Sequence, residues 1–422
     1  MPQLHKRLSD DTARAILAKY QHHEITAKEV VAYLGVGRTR FYELVARYQA
    51  KPTAFTIQYE RTASTHRIDA AIEDNILKEL KNEKEKIIDN PKVPTKRYNY
   101  SYLRQLLADK YEQDVSLPTI IARAKEHDYW KPKPPKKIHD REVVTNYPGE
   151  LIQHDSSHHL WAPDGEEKWY LITSLDDYSR AILYADFILH ETTWTHISAA
   201  ERLILRYGFP YSYYVDQLRV FRYVKDRDKN SPWAVYTKFT DDVNPQWKQV
   251  MKECGIQVIY ALSPQAKGKI ERPYEWLQDH IVRTCVREGV TTTEPARKIL
   301  QREIWAYNYK RVHSTTGEVP IIRFQNAIRE GKTLFRPFRI PPPYQSVRDI
   351  FSLRISRFVD AYRQVSLQGF TLKVPDASPR QTVALRLYPD LARGVTEVRF
   401  WREDTFLGAQ RVKNGDLPIV RL

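Results

Sequence analysis

Apolar and polar positions recur along this chain with two different periods, and the change of period divides it. At helical spacing the apolar positions fall in three stretches near the start, residues 11–20, 25–34 and 38–48, with Gly35-Val36-Gly37 turning the chain between the last two. Thr26 followed three residues later by Glu29 has the form of a helix N-terminal cap. Helical spacing returns over residues 68–80, 102–111 and 117–126, where Ser116 can cap the last helix and Pro118 fits its first turn. Strand-like runs then take over, at 150–155, 169–177, 181–188, 211–216 and 256–262, with Tyr178-Ser179-Arg180 as a hairpin turn. Helical stretches at 195–206, 247–254 and 273–282 are interleaved with them. Near the end, 363–367, 370–374, 382–388 and 397–401 alternate like strands, with Gln368-Gly369 as a turn, and predict a small β-barrel.

Between these blocks lie breaks of composition. Residues 131–137 read Lys-Pro-Lys-Pro-Pro-Lys-Lys, an extended basic linker that can track a phosphate backbone or act only as a spacer. Residues 221–245 are charged and weakly periodic, an insertion or loop. Pro337 and Pro341 to Pro343 mark a second linker. The predicted organisation is a helical domain at 1–55, a second at 65–130, the linker at 131–146, a central α/β domain at 147–330 and a β domain at 345–422.

With 422 residues the chain is too long for one core, and its formal charge of +15 favours a polyanionic partner. Two cysteines, Cys254 and Cys285, support neither a disulfide framework nor a structural zinc site. No apolar run approaches the length of a membrane span, and residues 1–8 lack a secretory apolar segment. A reducing, cytoplasmic setting away from membranes is expected.

Both early helical domains have helix-turn-helix spacing. In the first, Arg38, Thr39, Arg40 and Tyr42 open the third helix and are candidates for DNA contact; in the second, Thr119, Arg123 and Lys125 are. A packing scaffold with solvated basic residues is the alternative for each.

The candidate chemistry lies in three acids, each at the end of a strand-like run: Asp155, Asp216 and Glu271. Glu271 stands in Ser263-Pro264-Gln265-Ala266-Lys267-Gly268-Lys269-Ile270-Glu271-Arg272, so that Lys267, Lys269 and Arg272 surround a carboxylate. A carboxylate among three cations suggests a metal site facing a polyanion, the cations contacting phosphates. His154, His158 and His159 invite a zinc reading, which the absence of a nearby cysteine and the better carboxylate set disfavour. Asp176 and Asp177 are read as turn residues.

Together with Tyr307-Asn308-Tyr309-Lys310-Arg311-Val312-His313-Ser314, these residues closely resemble the DDE transposases of bacterial insertion sequences, which share the retroviral-integrase catalytic core. The resemblance covers roughly residues 147–324. It departs from the family where Gln217-Leu218 follows Asp216 in place of Asn-Gly, and where 54 residues separate Asp216 from Glu271.

The resemblance implies a multidomain α+β protein: helix-turn-helix modules, a ribonuclease H-like α/β core with antiparallel strands followed by alternating helix and strand, and the C-terminal β-barrel. It implies catalysis by Asp155, Asp216 and Glu271 as ligands of two Mg²⁺ ions, with Mn²⁺ as a substitute, since hard cations take carboxylate oxygens. Asp155 would bridge the ions. Water would first free a 3′-hydroxyl at the transposon end, and that hydroxyl would then attack target DNA. The implied partners are transposon-end DNA, target DNA and further copies of the chain assembled on DNA. The competing reading is a DNA-binding regulator or assembly subunit with an inactive core.

Overall fold

The computed structural model describes residues 4, 7–58, 68–132, 145–165, 167–216, 224–225, 238–239, 246–261, 268–367 and 370–417, without the side chains of 224–225, 238–239 and 268–272. Most of the basic linker, most of the 221–245 stretch and the Gln368-Gly369 turn lie outside them. The chain divides into two compact units, residues 1–74 and 75–422.

In the first unit, α1 (Asp10–Gln21), α2 (Ala27–Leu34) and α3 (Arg38–Ala50) enclose Ala13, Leu17, Val30, Leu34, Phe41 and Leu44. The Thr26–Glu29 capping box forms as expected, and Gly35 closes α2 in the left-handed region at φ 59°. Arg7 donates to the Leu34 carbonyl at 2.7 Å, satisfying one of the last carbonyls of α2.

The second unit opens with α4 (Ala70–Glu83), which begins in the first, a π-helical turn at Lys84–Ile88, α5 (Tyr100–Tyr111) and α6 (Leu117–Glu126). Ser116 caps α6 and Pro118 sits in its first turn, as the sequence predicts. The central sheet follows: β1 (Leu151–His159), β2 (Trp169–Asp176), β3 (Ile182–Ile188), α7 (Thr193–Tyr207) and β4 (Ser212–Val215). After the short antiparallel pair β5 (Val224–Lys225) and β6 (Lys238–Phe239) come α8 (Gln246–Glu253), β7 (Gln257–Tyr260), α9 (Gly268–Glu288), α10 (Thr293–Tyr309) and α11 (Pro320–Arg329).

The sheet order is β3-β2-β1-β4-β7. β1, β2 and β3 are antiparallel, while β1, β4 and β7 run parallel. This is the anticipated arrangement of antiparallel strands followed by alternating helix and strand. Each face buries its own core. Ile152, Leu183, Tyr213 and Val215 pack with Trp194 and Ile197 of α7 and Trp247 and Val250 of α8. Leu171, Leu175 and Phe187 pack with Tyr274, Leu277 and Ile281 of α9 and Ile299 and Tyr307 of α10.

The C-terminal region holds α12 (Val347–Ile350), β8 (Leu353–Phe358), the hairpin β9 (Gln364–Leu367) and β10 (Phe370–Lys373), then β11 (Thr382–Asp390), β12 (Val395–Arg402) and β13 (Thr405–Lys413). The expected barrel is replaced, among the described residues, by an open four-stranded antiparallel sheet, β13-β12-β11-β8, beside the separate hairpin. Leu385, Leu387, Val398 and Phe400 belong to the same continuous apolar cluster as α7 and α8. Polar links reinforce that union: Glu253 of α8 accepts from Arg354 at 2.6 Å and Arg386 at 3.1 Å, and Tyr388 donates to Glu201 of α7 at 3.0 Å.

Asn308, at the end of α10, is buried and uses its amide on both backbone groups of Ile182: it accepts from the nitrogen and donates to the carbonyl, each at 2.9 Å. Asn308→Ala leaves a buried peptide without these partners, and chemical denaturation is expected to show a loss of about 1–3 kcal/mol. Wild-type stability in this variant would remove the assigned role.

Candidate active site

The backbone pairing of β1 with β4 brings the first two acids together. Leu151, Ile152 and Gln153 pair with Ser212, Tyr213 and Tyr214, so that Asp155 and Asp216 each lie two residues beyond the last paired position, Asp216 just past the end of β4. In a parallel ladder neighbouring strands lie about 4.8 Å apart. Both residues are half-buried. Because side chains alternate along a strand, Ile152 and Tyr213 facing α7 and α8 put Asp155 and Asp216 on the opposite face, the one α9 covers.

Three contacts set α9 on that face. The Tyr274 hydroxyl donates to the Asp155 carbonyl at 2.7 Å and accepts from Thr173 at 2.8 Å; Gln278 donates to Ser157 at 3.0 Å. Burial, and then the nearby Asp155 charge, push the Tyr274 phenol well above its ordinary range. Position 271 precedes Tyr274 by three residues, one turn earlier on the helical stripe formed with 274 and 278. The backbone of Glu271 is helical, while its side chain and those of Lys269 and Arg272 lie outside the described residues. Lys267 and residues 263–266 lie wholly outside. Among the described residues no three His, Cys, Asp or Glu side chains form a metal site. The Asp155 and Asp216 carboxylates offer the hard oxygen donors that Mg²⁺ takes.

His154 points away from Asp155 into the other core. It is fully buried, with Nδ1 2.8 Å from the Ser174 hydroxyl and Nε2 2.9 Å from Nδ1 of His196. His196 continues to Glu191 at 3.0 Å, and Ser156 donates to the same carboxylate. This chain ties β1 and β2 to the start of α7 directly behind Asp155. Neither His196 nor Glu191 was singled out by the sequence, because nothing local marks a lone histidine in a helix as a partner of a strand residue. His158 stacks on Tyr170 at 4.2 Å. His154 and His158, four residues apart, share one face of β1, while His159 is on the other against Trp161, and among the described residues the three do not form a metal site.

Asp176 is the last residue of β2 and Asp177 opens the turn that follows, next to the hairpin turn to which the sequence assigns them. Asp176 accepts from Gly149 and Ser179, and burial pushes its carboxyl up to about 6. Asp177 pairs with Arg180 at 2.9 Å.

The candidate DNA contacts are placed as follows. Arg38, Thr39, Arg40 and Tyr42 are exposed at the start of α3, Arg40 paired with Glu43 at 2.8 Å. In α6, the Thr119 hydroxyl is 2.8 Å from that of Ser116 within the cap, Arg123 pairs with Glu126 at 3.2 Å, and exposed Lys125 lies over the Trp130 ring.

Burial raises the Glu191 carboxyl, but hydrogen bonds from His196 and Ser156 outweigh it and hold the group below its ordinary value. A depressed carboxyl stabilises the fold above its unfolded value of about 4.3 and loses that contribution as pH falls through the folded value. Glu191→Gln should therefore cost about 1.5–3 kcal/mol at pH 7. In denaturation curves the gap from wild type should close toward pH 3; a gap independent of pH would contradict this account.

No family model matches the chain. Two proteins named as transposases do align with it. One, y4bF of Sinorhizobium fredii, is 26% identical over 220 residues, 52% of this chain and 43% of that protein. The other, the transposase for insertion sequence IS1202 of Streptococcus pneumoniae, is 32% identical over 174 residues, 41% of this chain and 35% of that protein. The alignments thus span less than half the length of either relative. Among solved structures, the HTLV-2 integrase catalytic core domain in complex with magnesium has a TM-score of 0.31 at 16% identity, covering 42% of this chain and 97% of that one. A simian T-cell lymphotropic virus intasome in complex with the PP2A regulatory subunit B56 gamma gives 0.33 at 15%, covering 75% and 96%. By sequence, the chain is similar to the transposases of bacterial insertion sequences.

Proposed function

We propose that this protein is a DDE transposase with a ribonuclease H-like core, which cleaves at transposon ends and joins the freed 3′-hydroxyl to target DNA. The observation that supports the reading is the parallel pairing of β1 with β4, which ends two residues before Asp155 and Asp216, together with the bond from Tyr274 of α9 to the Asp155 carbonyl. The similarity to named transposases agrees with it.

In this reading Asp155, Asp216 and Glu271 would hold two Mg²⁺ ions. Bound there, such ions supply activation of the attacking oxygen and neutralisation of the leaving one. The chain's own part is positional. Asp155 lies within β1, and Asp216 directly follows the last residue of β4. Tyr274, kept protonated by burial, fixes the backbone at Asp155 without competing for its carboxylate. Lys267, Lys269 and Arg272 meet phosphates beside the scissile bond. Arg38, Thr39, Arg40 and Tyr42 of α3, and Thr119, Arg123 and Lys125 of α6, grip the transposon end. Copies of the chain assemble on the two ends.

A joining assay with Mg²⁺ and DNA carrying the element's inverted repeats tests the reading. Asp155→Asn and Glu271→Gln should each lower joining by about a thousandfold or more, since removing a metal ligand forfeits several kcal/mol of charge stabilisation. End binding should stay within about twofold. Joining by Glu271→Gln at the wild-type rate would overturn the assignment, and specific end binding without joining by the wild type would favour an assembly subunit. Replacing Arg38 and Arg40 by Ala should weaken binding to the element's end more than to random DNA; equal losses would reduce both to phosphate contacts.

A further inference from the structure

The helix that carries position 271 is held on two sides. Its sheet side is fastened by Tyr274 and Gln278. The other side, at Asp279, Arg283 and Arg287, meets the helices of residues 75–132. Glu79 and Glu83, one turn apart on α4, are almost entirely buried, as is Arg283. Arg287 donates to Glu79 and Glu83, each at 2.6 Å, and Arg283 donates to Glu83. Arg283 also reaches the Arg97 carbonyl and Asp279, while Asn99, the cap of α5, donates to Asp279. Tyr102 and Thr284 share a buried hydrogen bond of 2.9 Å. Ile87, Val93, Val282 and Val286 complete the contact.

This set of charges is closed on itself. Glu79 also accepts from Lys110 at 2.9 Å and from the Tyr111 hydroxyl at 2.7 Å. Burial by itself would raise the Glu79 carboxyl, yet these donors and Arg287 bring it down to about 2. Buried ions tolerate little change in geometry, because a lost partner leaves a charge in a poor solvent. They therefore define the roll and axial position of α9 more narrowly than apolar contact would.

Position 271 is twelve residues from Arg283, about 18 Å along the helix at about 1.5 Å per residue. Pro273 lies between them and has no N–H to donate within the helix, so the first turn of α9 relies on the placement of the rest. On a helix of about 5–6 Å radius, a roll of about 10° shifts a side chain by about 1 Å. A misplacement of that size is worth about a hundredfold in rate.

We propose that Glu83 and Arg283 are positioning residues: through them the helices of residues 75–132 act as a clamp that sets α9, and with it Glu271, against Asp155 and Asp216. The proposal rests on the reading of Glu271 as a ligand in a DDE transposase.

The test uses the full chain with Glu83→Gln, which keeps shape and removes charge, and the double variant Glu83→Leu with Arg283→Met, which replaces the pair by apolar groups. Two readouts are taken: hydrogen exchange of residues 268–288 compared with β1 and β2, and joining rate at saturating DNA as a function of Mg²⁺. Glu83→Gln should speed exchange in α9 about tenfold or more while β1 and β2 keep their protection. It should slow joining by about 10- to 100-fold, raise the Mg²⁺ concentration for half-maximal joining several-fold and leave end binding within about twofold. The double variant, which removes the buried charge together with its directional pairing, should regain part of the α9 protection while joining stays below the wild-type rate, and joining at the wild-type rate would overturn the positioning role.

Unchanged exchange in α9, or an unchanged Mg²⁺ midpoint, would overturn the proposal. So would faster exchange spread equally over the sheet, which marks general loss of stability. Failure of the wild type to join DNA would overturn the catalytic reading instead, and the exchange of α9 would still decide whether the clamp exists.

Discussion

The parallel pairing of β1 with β4 is the constraint on which the candidate site depends, because a strand has only two faces and Ile152, Tyr213 and Val215 take the one against α7 and α8. There Trp194, Trp247 and Ile197 cover them. Alternation then leaves Asp155 on the α9 face, where Tyr274 bonds to its carbonyl, and Asp216 follows the end of the neighbouring strand. A slip of one residue in β1 would exchange Asp155 with His154 and take Ile152 out of the core against α7 and α8. The position of the acids therefore follows from the burial of their neighbours.

The same logic explains the polar groups behind the site. His154 lies in an apolar layer against Trp247 and Tyr213, and a buried imidazole there requires hydrogen-bonding partners. Ser174, His196 and Glu191 supply them in sequence and bring the chain to Ser156, the residue after Asp155. The network thus joins three elements, β1, β2 and the start of α7, at the level of the site. Hydrogen bonds are directional, so this link fixes relative orientation where apolar packing leaves some freedom to slide.

How much of this can be read from the chain depends on the distance between interacting residues. The Thr26–Glu29 cap, the Ser116 cap with Pro118 and the turn at Asp176 and Asp177 are legible because each is made by residues a few positions apart. The sequence reads Asp155 and Asp216 each as ending a strand-like run; β4 does stop at Val215, one residue before Asp216, whereas β1 continues four residues past Asp155 to His159. The C-terminal region is legible only as strands. Alternation in β11 and β12 shows which side of each strand is buried, and it is silent on whether that side closes on itself or joins the core of α7 and α8.

Glu79 and Glu83 mark the limit of such reading. Two acids one turn apart on an amphipathic helix look like a solvated face, and Arg283 with Arg287 looks the same on α9. Each pair by itself is a repulsive arrangement of like charges. Brought together they become complementary, each carboxylate facing a guanidinium in a site from which water is excluded. The partners Glu83 and Arg283 are 200 positions apart in sequence. Periodicity contains no term for a pairing of that kind, although its like-charged halves are visible. Two like-charged pairs at helical spacing, of opposite sign and on different helices, thus form a complementary match that only the folded chain reveals.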